Sequence, residues 1–170
     1  MELRIRYSPE QIIAAVRKLA AEIAADYGER PLLFVVVLKG ALFFAADLAR
    51  EVRLPLTVDF VRLSSYQGTE STGMISMPME MEHMVTDRDV LVIEDIVDTG
   101  QSLAYLLKAL QAKKPRSIRV CALIDKRGTR KADVAPDYAG FVCKGGFLVG
   151  YGLDLDEQFR HLPAIYEVIG

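Results

Sequence analysis

The sequence predicts an α/β fold in which a twisted, mostly parallel sheet is flanked by helices. Apolar runs at 32–38 and 90–93 are continuous rather than alternating, and a third run at 118–124 is apolar apart from Arg119, as in strands that are buried on both faces. Segments with helical apolar spacing separate these runs, as in β-α-β units. With 170 residues and 51% hydrophobic content, the chain is expected to form a single domain over residues 1–170.

The first part of the chain is predicted to hold one covering helix and two parallel strands. This helix begins at Pro9, carries apolar residues on one face and ends near Gly28. A strand follows at 32–38, a helix at 42–52 returns the chain, and a strand at 57–63 pairs alongside the first. Residues 64–73 are small and polar with flanking glycines, which predicts a mobile loop.

The remaining elements continue the alternation. Residues 74–84 hold five of the six methionines around Pro78, which predicts an interrupted edge strand whose methionines pack internally or line a subunit interface. A strand at 90–93, a helix at 103–112 and a strand at 118–124 follow. From Asp137 on, the chain is rich in glycine and aromatic residues, and we expect a small lid subdomain at 137–170.

Residues 90–102 carry the most informative pattern of the chain, because an apolar strand there runs through three carboxylates into a helix. Glu94 and Asp95 can accept hydrogen bonds from two vicinal hydroxyls. The turn that follows consists of Asp98, Thr99, Gly100, Gln101 and Ser102. Its hydroxyls, its glycine and the free amides of the helix start suit a phosphate dianion. The stretch therefore predicts a site for a ribose that carries a 5'-phosphate.

An alternative interpretation is an ordinary connection in which Asp98, Thr99 or Ser102 only caps the helix. A cap needs one acceptor, whereas this turn concentrates several polar groups at the carboxyl end of a buried strand, where open α/β sheets bind their ligands. The glycine spacings of dinucleotide sites and P-loops are not found.

This stretch resembles the phosphoribosyl diphosphate (PRPP) motif of the type I phosphoribosyltransferases, and its third acid, Asp98, resembles the hypoxanthine-guanine phosphoribosyltransferases. Further matches follow in the family's order at 38–41, 64–66, 125–127, 147–154 and 159–160. The resemblance implies purine salvage, in which the 5-phosphoribosyl group of PRPP is transferred with Mg²⁺ to hypoxanthine, guanine or xanthine. The products are the nucleoside 5'-monophosphate and diphosphate.

The resemblance also implies a set of purine contacts. Asp98 is the expected catalytic proton acceptor for N7 of the base. Lys126 carries donors only, so it favours a 6-oxo group over a 6-amino group. Phe147 is expected to stack on the purine, and the backbone of Leu148 to meet its 2-position. Lys144-Gly145-Gly146 replaces the proline and charged residue that usually precede the stacking aromatic, which leaves the ranking of the three purines open.

For the leaving group, the resemblance implies a second set of contacts. Lys39, Gly40 and Arg160 are expected to bind the diphosphate. Ser65 and Tyr66 are expected to close over the reaction centre and exclude water. The carboxylates expected to hold Mg²⁺ are Glu94, Asp95 and Asp154.

Composition narrows the remaining classes. A net charge of −2 gives no general basic field, so we expect no nucleic-acid partner. The two cysteines form no Cys-x-x-Cys motif. No secretory leader is recognised, and no apolar run approaches the ~20 residues of a membrane span, so a soluble cytoplasmic protein without a membrane partner is expected. A homodimer or homotetramer is expected as well.

Two rival classes of protein make different predictions for these residues. A PRPP-binding regulator that acts on RNA or DNA predicts a basic face or an added nucleic-acid-binding segment. A transferase for adenine, orotate or uracil predicts a different base site. Asp98 and Lys126 together favour catalysis over regulation, because a sensor of PRPP needs neither residue. Lys126 argues against adenine as the base, and Asp98 argues against the pyrimidines.

Overall fold

The computed structural model describes residues 1–65, 75–79 and 81–170. The elements in chain order are β1 (Glu2–Tyr7), α1 (Pro9–Tyr27), β2 (Leu32–Leu38), α2 (Leu42–Glu51), β3 (Leu56–Ser65), β4 (Ile75–Met79), β5 (Asp89–Val97), α3 (Gln101–Gln111), β6 (Ser117–Lys126), β7 (Tyr138–Cys143), β8 (Leu148–Val149) and β9 (Ile165–Ile169). The predicted mobile loop at 64–73 lies mostly outside the described residues. Ser65 ends β3, and Tyr66 is not described.

A six-stranded sheet in the order β4-β3-β2-β5-β6-β7 forms the centre of the fold. Strands β3, β2, β5, β6 and β7 are parallel, and β4 pairs antiparallel at the edge. The predicted twisted, mostly parallel sheet flanked by helices is therefore confirmed.

The core lies on both faces of this sheet because successive residues of a strand point to opposite sides. Phe34 and Val36 of β2 pack in one cluster with α1 and α2. Leu33 and Val35 pack in the other cluster with α3. Because these strands are buried on both faces, their sequences are continuously apolar.

A second sheet has three antiparallel strands in the order β1-β9-β8. The lid segment predicted from residue 137 therefore needs correction at its start, because β7 pairs with β6 in the main sheet. Strand β1 was missed. The two sheets meet where the rings of Tyr7 and Phe141 stack with centroids 3.9 Å apart.

None of the helices in the described ranges combines the length and the hydropathy that crossing a membrane requires.

Candidate active site

The chain direction across the sheet reverses between β2 and β5, and this point defines a crevice. From β2 the chain passes through α2, on one face, to β3. From β5 it passes through α3, on the opposite face, to β6 on the other side. Open α/β sheets bind ligands beyond the carboxyl ends of the strands at such a switch point. Lys39 directly follows β2, and residues 98–102, here called the phosphate loop, follow β5.

The phosphate loop presents the start of α3 to a cavity of about 110 Å³. Gly100 has a φ of 80° and precedes the helix without a side-chain cap. The nearest side-chain contact is long, 3.4 Å from the Gln101 amide to Thr99 Oγ1. Ser102 is exposed. The structure therefore does not support the capping alternative, and the loop retains the donors that an anion needs.

Glu94 and Asp95 lie within β5, which extends to Val97, whereas the predicted strand ended at Ile93. Glu94 is 8% exposed. Burial raises its pKa well above the ordinary value, and the neighbouring Asp95 charge raises it further. Two crowded carboxyls cannot both ionise at low cost, so hydrogen-bond donors from a ligand would stabilise their charged form.

Gly40 connects the end of β2 to this acid pair. A Cβ at Gly40 would lie 1.7 Å from Asp95 Oδ2, so no side chain fits there. The charge of Arg160 also acts on Asp95, lowering its pKa against the larger effect of burial. The residues predicted for diphosphate and for the ribose hydroxyls thus lie against one another.

Asp98 and Lys126 form an ion pair of 3.0 Å at the ends of two adjacent strands. The Lys126 side chain is 12% exposed and that of Asp98 is 44% exposed. Burial alone would raise the pKa of Asp98, but hydrogen bonds from Thr129 and Lys126 outweigh it and hold the pKa below the ordinary value. Asp98 is therefore ionised at neutral pH, as a proton acceptor must be.

The segment after β6, residues 127–134, supports the phosphate loop from behind. The carbonyl of Thr99 accepts hydrogen bonds from the amides of Lys131, at 2.9 Å, and Ala132, at 3.0 Å. A Cβ at Gly100 would lie 2.6 Å from Val134 Cγ2, so the loop and the segment are in close contact. Sequence reasoning did not assign this supporting role.

Arg130 is the centre of that support, and the sequence interpretation missed it. Its guanidinium donates to the carbonyls of Asp98, at 3.0 Å, and Val97, at 3.1 Å. It also pairs with Asp125 at 2.5 Å, where the side chains of Arg130 and Asp125 are 17% and 2% exposed. One largely buried cation thus connects the end of β5 to the end of β6.

Lys39 and Arg160 meet on the other side of the crevice. Arg160 pairs with Asp154 at 2.8 Å and donates to the Gly152 carbonyl at 2.7 Å. The carboxylate of Glu157, a residue that sequence reasoning did not select, contacts both cations. Beside them lies a cavity of about 600 Å³.

Gly152 holds the Arg160 segment against the end of β2. It has a φ of 104°, and a Cβ there would lie 1.9 Å from the carbonyl oxygen of Gly40. We expect Gly152→Ala to lower the free energy of unfolding by at least about 2 kcal/mol, because alanine suits neither this φ nor this contact. Urea denaturation measures the change.

Gly145→Ala is the matched control for that experiment. A Cβ at Gly145 would have no heavy atom within 4 Å, and the residue has no positive φ. Its substitution should alter the free energy of unfolding by no more than about 0.5 kcal/mol. Equal stability of the two variants would contradict the packing role assigned to Gly152.

Strand β8 lies at one edge of the second sheet, and one side of its backbone faces away from β9. Leu148 faces Glu167 of β9, and the Val168 amide donates to the Phe147 carbonyl at 2.8 Å. Leu148 and Glu167 are therefore a non-hydrogen-bonded pair, and the Leu148 N–H and C=O point away from β9. The Phe147 side chain next to them is largely exposed, with the residue 51% exposed.

The predicted magnesium ligands do not form a closed cage. Within the described ranges, no three side chains of His, Cys, Asp or Glu are grouped so as to hold an ion. Asp154 is engaged by Arg160 and by the amide of Glu157, at 2.9 Å. Mg²⁺ takes few carboxylates and completes its shell with phosphate oxygens and waters. The donors present therefore fit an ion carried largely by a bound diphosphate.

A phosphate loop and a pair of cations on opposite sides of one switch-point crevice are features of an α/β protein with two candidate anion sites. The family model described as phosphoribosyl transferase domain matches residues 7–156.

Relatives extend this match over most of the chain. The hypoxanthine-guanine-xanthine phosphoribosyltransferase of Tritrichomonas foetus is 40% identical over 163 residues, which cover 95% of this chain and 89% of that protein. The Bacillus subtilis hypoxanthine-guanine phosphoribosyltransferase is also 40% identical, with 95% and 91% covered. A crystal structure of the Bacillus anthracis hypoxanthine-guanine phosphoribosyltransferase superimposes with a TM-score of 0.93 at 37% identity, covering 99% of this chain and 100% of that one. The chain belongs to the hypoxanthine-guanine phosphoribosyltransferase family, whose members are enzymes of the pentosyltransferase class.

Proposed function

We propose that this enzyme transfers the 5-phosphoribosyl group of PRPP to a 6-oxopurine and releases diphosphate. The observation that carries the proposal is the Asp98–Lys126 pair beside the phosphate loop. A carboxylate beside a donor-only cation supports this proposal, because a 6-oxopurine that loses its N7 proton needs an acceptor there and a donor for its 6-oxo group.

The sugar and its phosphate occupy the β5 side of the crevice in this proposal. The two ribose hydroxyls donate to Glu94 and Asp95, whose crowding disfavours a second negative charge. The 5'-phosphate accepts from the helix-start amides and from the hydroxyls of Thr99 and Ser102. Lys39, the Gly40 amide and Arg160 bind the diphosphate.

The purine occupies the space between β6 and β8. Lys126 donates to the 6-oxo group, Phe147 stacks on the ring, and the outward backbone of Leu148 meets the 2-position. As the base bonds to the anomeric carbon and the bond to diphosphate breaks, Asp98 accepts the N7 proton. Ser65 and Tyr66, whose side chains are not described, are proposed to exclude water.

Carboxylates of Glu94, Asp95 and Asp154 are the candidate protein ligands for Mg²⁺. When bound, the ion neutralises charge that develops on the leaving diphosphate. The cytoplasmic location and the homodimeric or homotetrameric assembly stay predictions.

Steady-state assays with PRPP, Mg²⁺ and hypoxanthine, guanine, xanthine or adenine test the proposal. We expect nucleotide formation with at least one 6-oxopurine and far less with adenine. Absence of product with every 6-oxopurine would refute it, and efficient use of adenine would refute the role of Lys126.

Lys126→Ala is expected to lower kcat/KM for hypoxanthine by about 10- to 100-fold, because the 6-oxo group loses a buried charged donor. PRPP affinity, measured by calorimetry, should change by less than about threefold. Since Lys126 also helps to lower the pKa of Asp98, the acid limb of the pH–rate profile should move to higher pH.

The exposed Lys113, which follows α3, provides the control for lost charge. Lys113→Ala should leave both kcat/KM for hypoxanthine and the affinity for PRPP unchanged. Unaltered hypoxanthine kinetics in Lys126→Ala would remove Lys126 from base recognition.

A further inference from the structure

One carboxylate, that of Glu157, is bonded to both cations of the diphosphate site. Its Oε2 lies 2.7 Å from Lys39 Nζ, across 118 residues of sequence. Its Oε1 lies 3.3 Å from Arg160 Nη2. In the proposed function these two cations bind diphosphate oxygens, so the Glu157 oxygens lie where an anionic ligand is expected.

The local backbone does not account for a glutamate at this position. Leu155 and Gln158 form an antiparallel bridge, and the two residues between them have φ values of 51° at Asp156 and 64° at Glu157. Positive φ at both central positions is typical of a type I′ turn, which favours Asn-Gly or Asp-Gly. Glycine would suit the turn better than glutamate does, so the Glu157 side chain has a role outside the turn.

We propose that Glu157 is an intramolecular competitor of diphosphate, which occupies Lys39 and Arg160 until the ligand displaces it. The inference rests on the proposed function of these cations. Displacement needs no unfolding, because the side chains of Glu157 and Lys39 are 63% and 48% exposed. Diphosphate carries several negative charges and therefore wins the exchange. The competition lowers diphosphate affinity and favours product release.

Isothermal titration of the full chain with inorganic diphosphate, in the presence of Mg²⁺, tests this competition. Glu157→Gln retains the size of the side chain and removes its charge. We expect it to bind diphosphate about three- to tenfold more tightly than the parent, since the ligand no longer has to break the two ion pairs of the exposed Glu157 carboxylate.

Asp156→Asn is the matched control, because it removes the same charge one residue away. Asp156 is exposed, and no ion pair involves it within the described ranges. Its diphosphate affinity should change by less than about twofold, which measures the general effect of charge.

The outcomes separate clearly. Glu157→Gln binding that equals or falls below that of the parent would overturn the competition, as would an equal gain in Asp156→Asn. If Glu157→Gln fails to fold by circular dichroism, Glu157→Gly, which suits the turn, replaces it in the same titration. A parent protein that neither binds diphosphate nor forms nucleotide from PRPP would overturn the proposed function and this inference together. A parent that does both leaves only the competition to be decided.

Discussion

Asp98→Asn is expected to lower kcat for hypoxanthine by about 10² to 10⁴, because an amide cannot accept the N7 proton. PRPP affinity should change little, since the amide oxygen still accepts from Thr129 or Lys126 and the backbone of the phosphate loop is retained. Steady-state kinetics and calorimetric titration with PRPP measure the two effects separately. Equal turnover in variant and parent would remove Asp98 from the mechanism.

The exposed Asp133 offers a control in the neighbouring segment, and Asp133→Asn should leave turnover unchanged. The pKa of Asp98 provides a further check. It is lowered, so the ionised acceptor is present above that pKa and is lost as the pH falls through it. The acid limb that Asp98 causes should therefore lie below about pH 4.

Features with a local sequence trace were predicted well. Strand β2 occupies 32–38 as expected, because burial on both faces leaves an unbroken apolar run. The phosphate loop was located because its polar residues follow directly on such a run. The turn predicted at 98–102 does lead into a helix, but α3 begins at Gln101, two residues earlier than expected, and so includes the last two residues of that turn.

Features that depend on distant partners could not be read from the sequence. Strand β1 is mostly exposed and forms its sheet with β9, at the other end of the chain. The sequence pattern places the acids of β5 after the strand because buried carboxylates are rare, whereas Glu94 is inside it. In the sequence, Glu157 and Arg130 cannot be distinguished from ordinary charged surface residues. Only the fold shows what they contact.

The support behind the phosphate loop gives the largest expected effect on stability. Arg130→Met is expected to lower the free energy of unfolding by about 3 to 5 kcal/mol, because it leaves the Asp125 carboxylate buried with less compensation. It also removes donors to the carbonyls of Asp98 and Val97, so PRPP affinity should fall in the variant that still folds. Urea denaturation and calorimetric titration with PRPP measure the two results.

Arg127→Met is a close control, because Arg127 pairs with the same Asp125 carboxylate at 2.7 Å but its side chain is 67% exposed. Its loss should cost less than about 1 kcal/mol. The pKa of Asp125 is lowered because its bonds to Arg127 and Arg130 outweigh burial. The ionised Asp125 carboxylate thus contributes stability above the pKa that it has in the unfolded chain. This contribution is lost as the pH falls through the pKa of the folded state, below about pH 4. The difference in the free energy of unfolding between the parent and Arg130→Met should therefore become smaller below that pH. If Arg127→Met and Arg130→Met lose equal free energies of unfolding, the special role of Arg130 is contradicted.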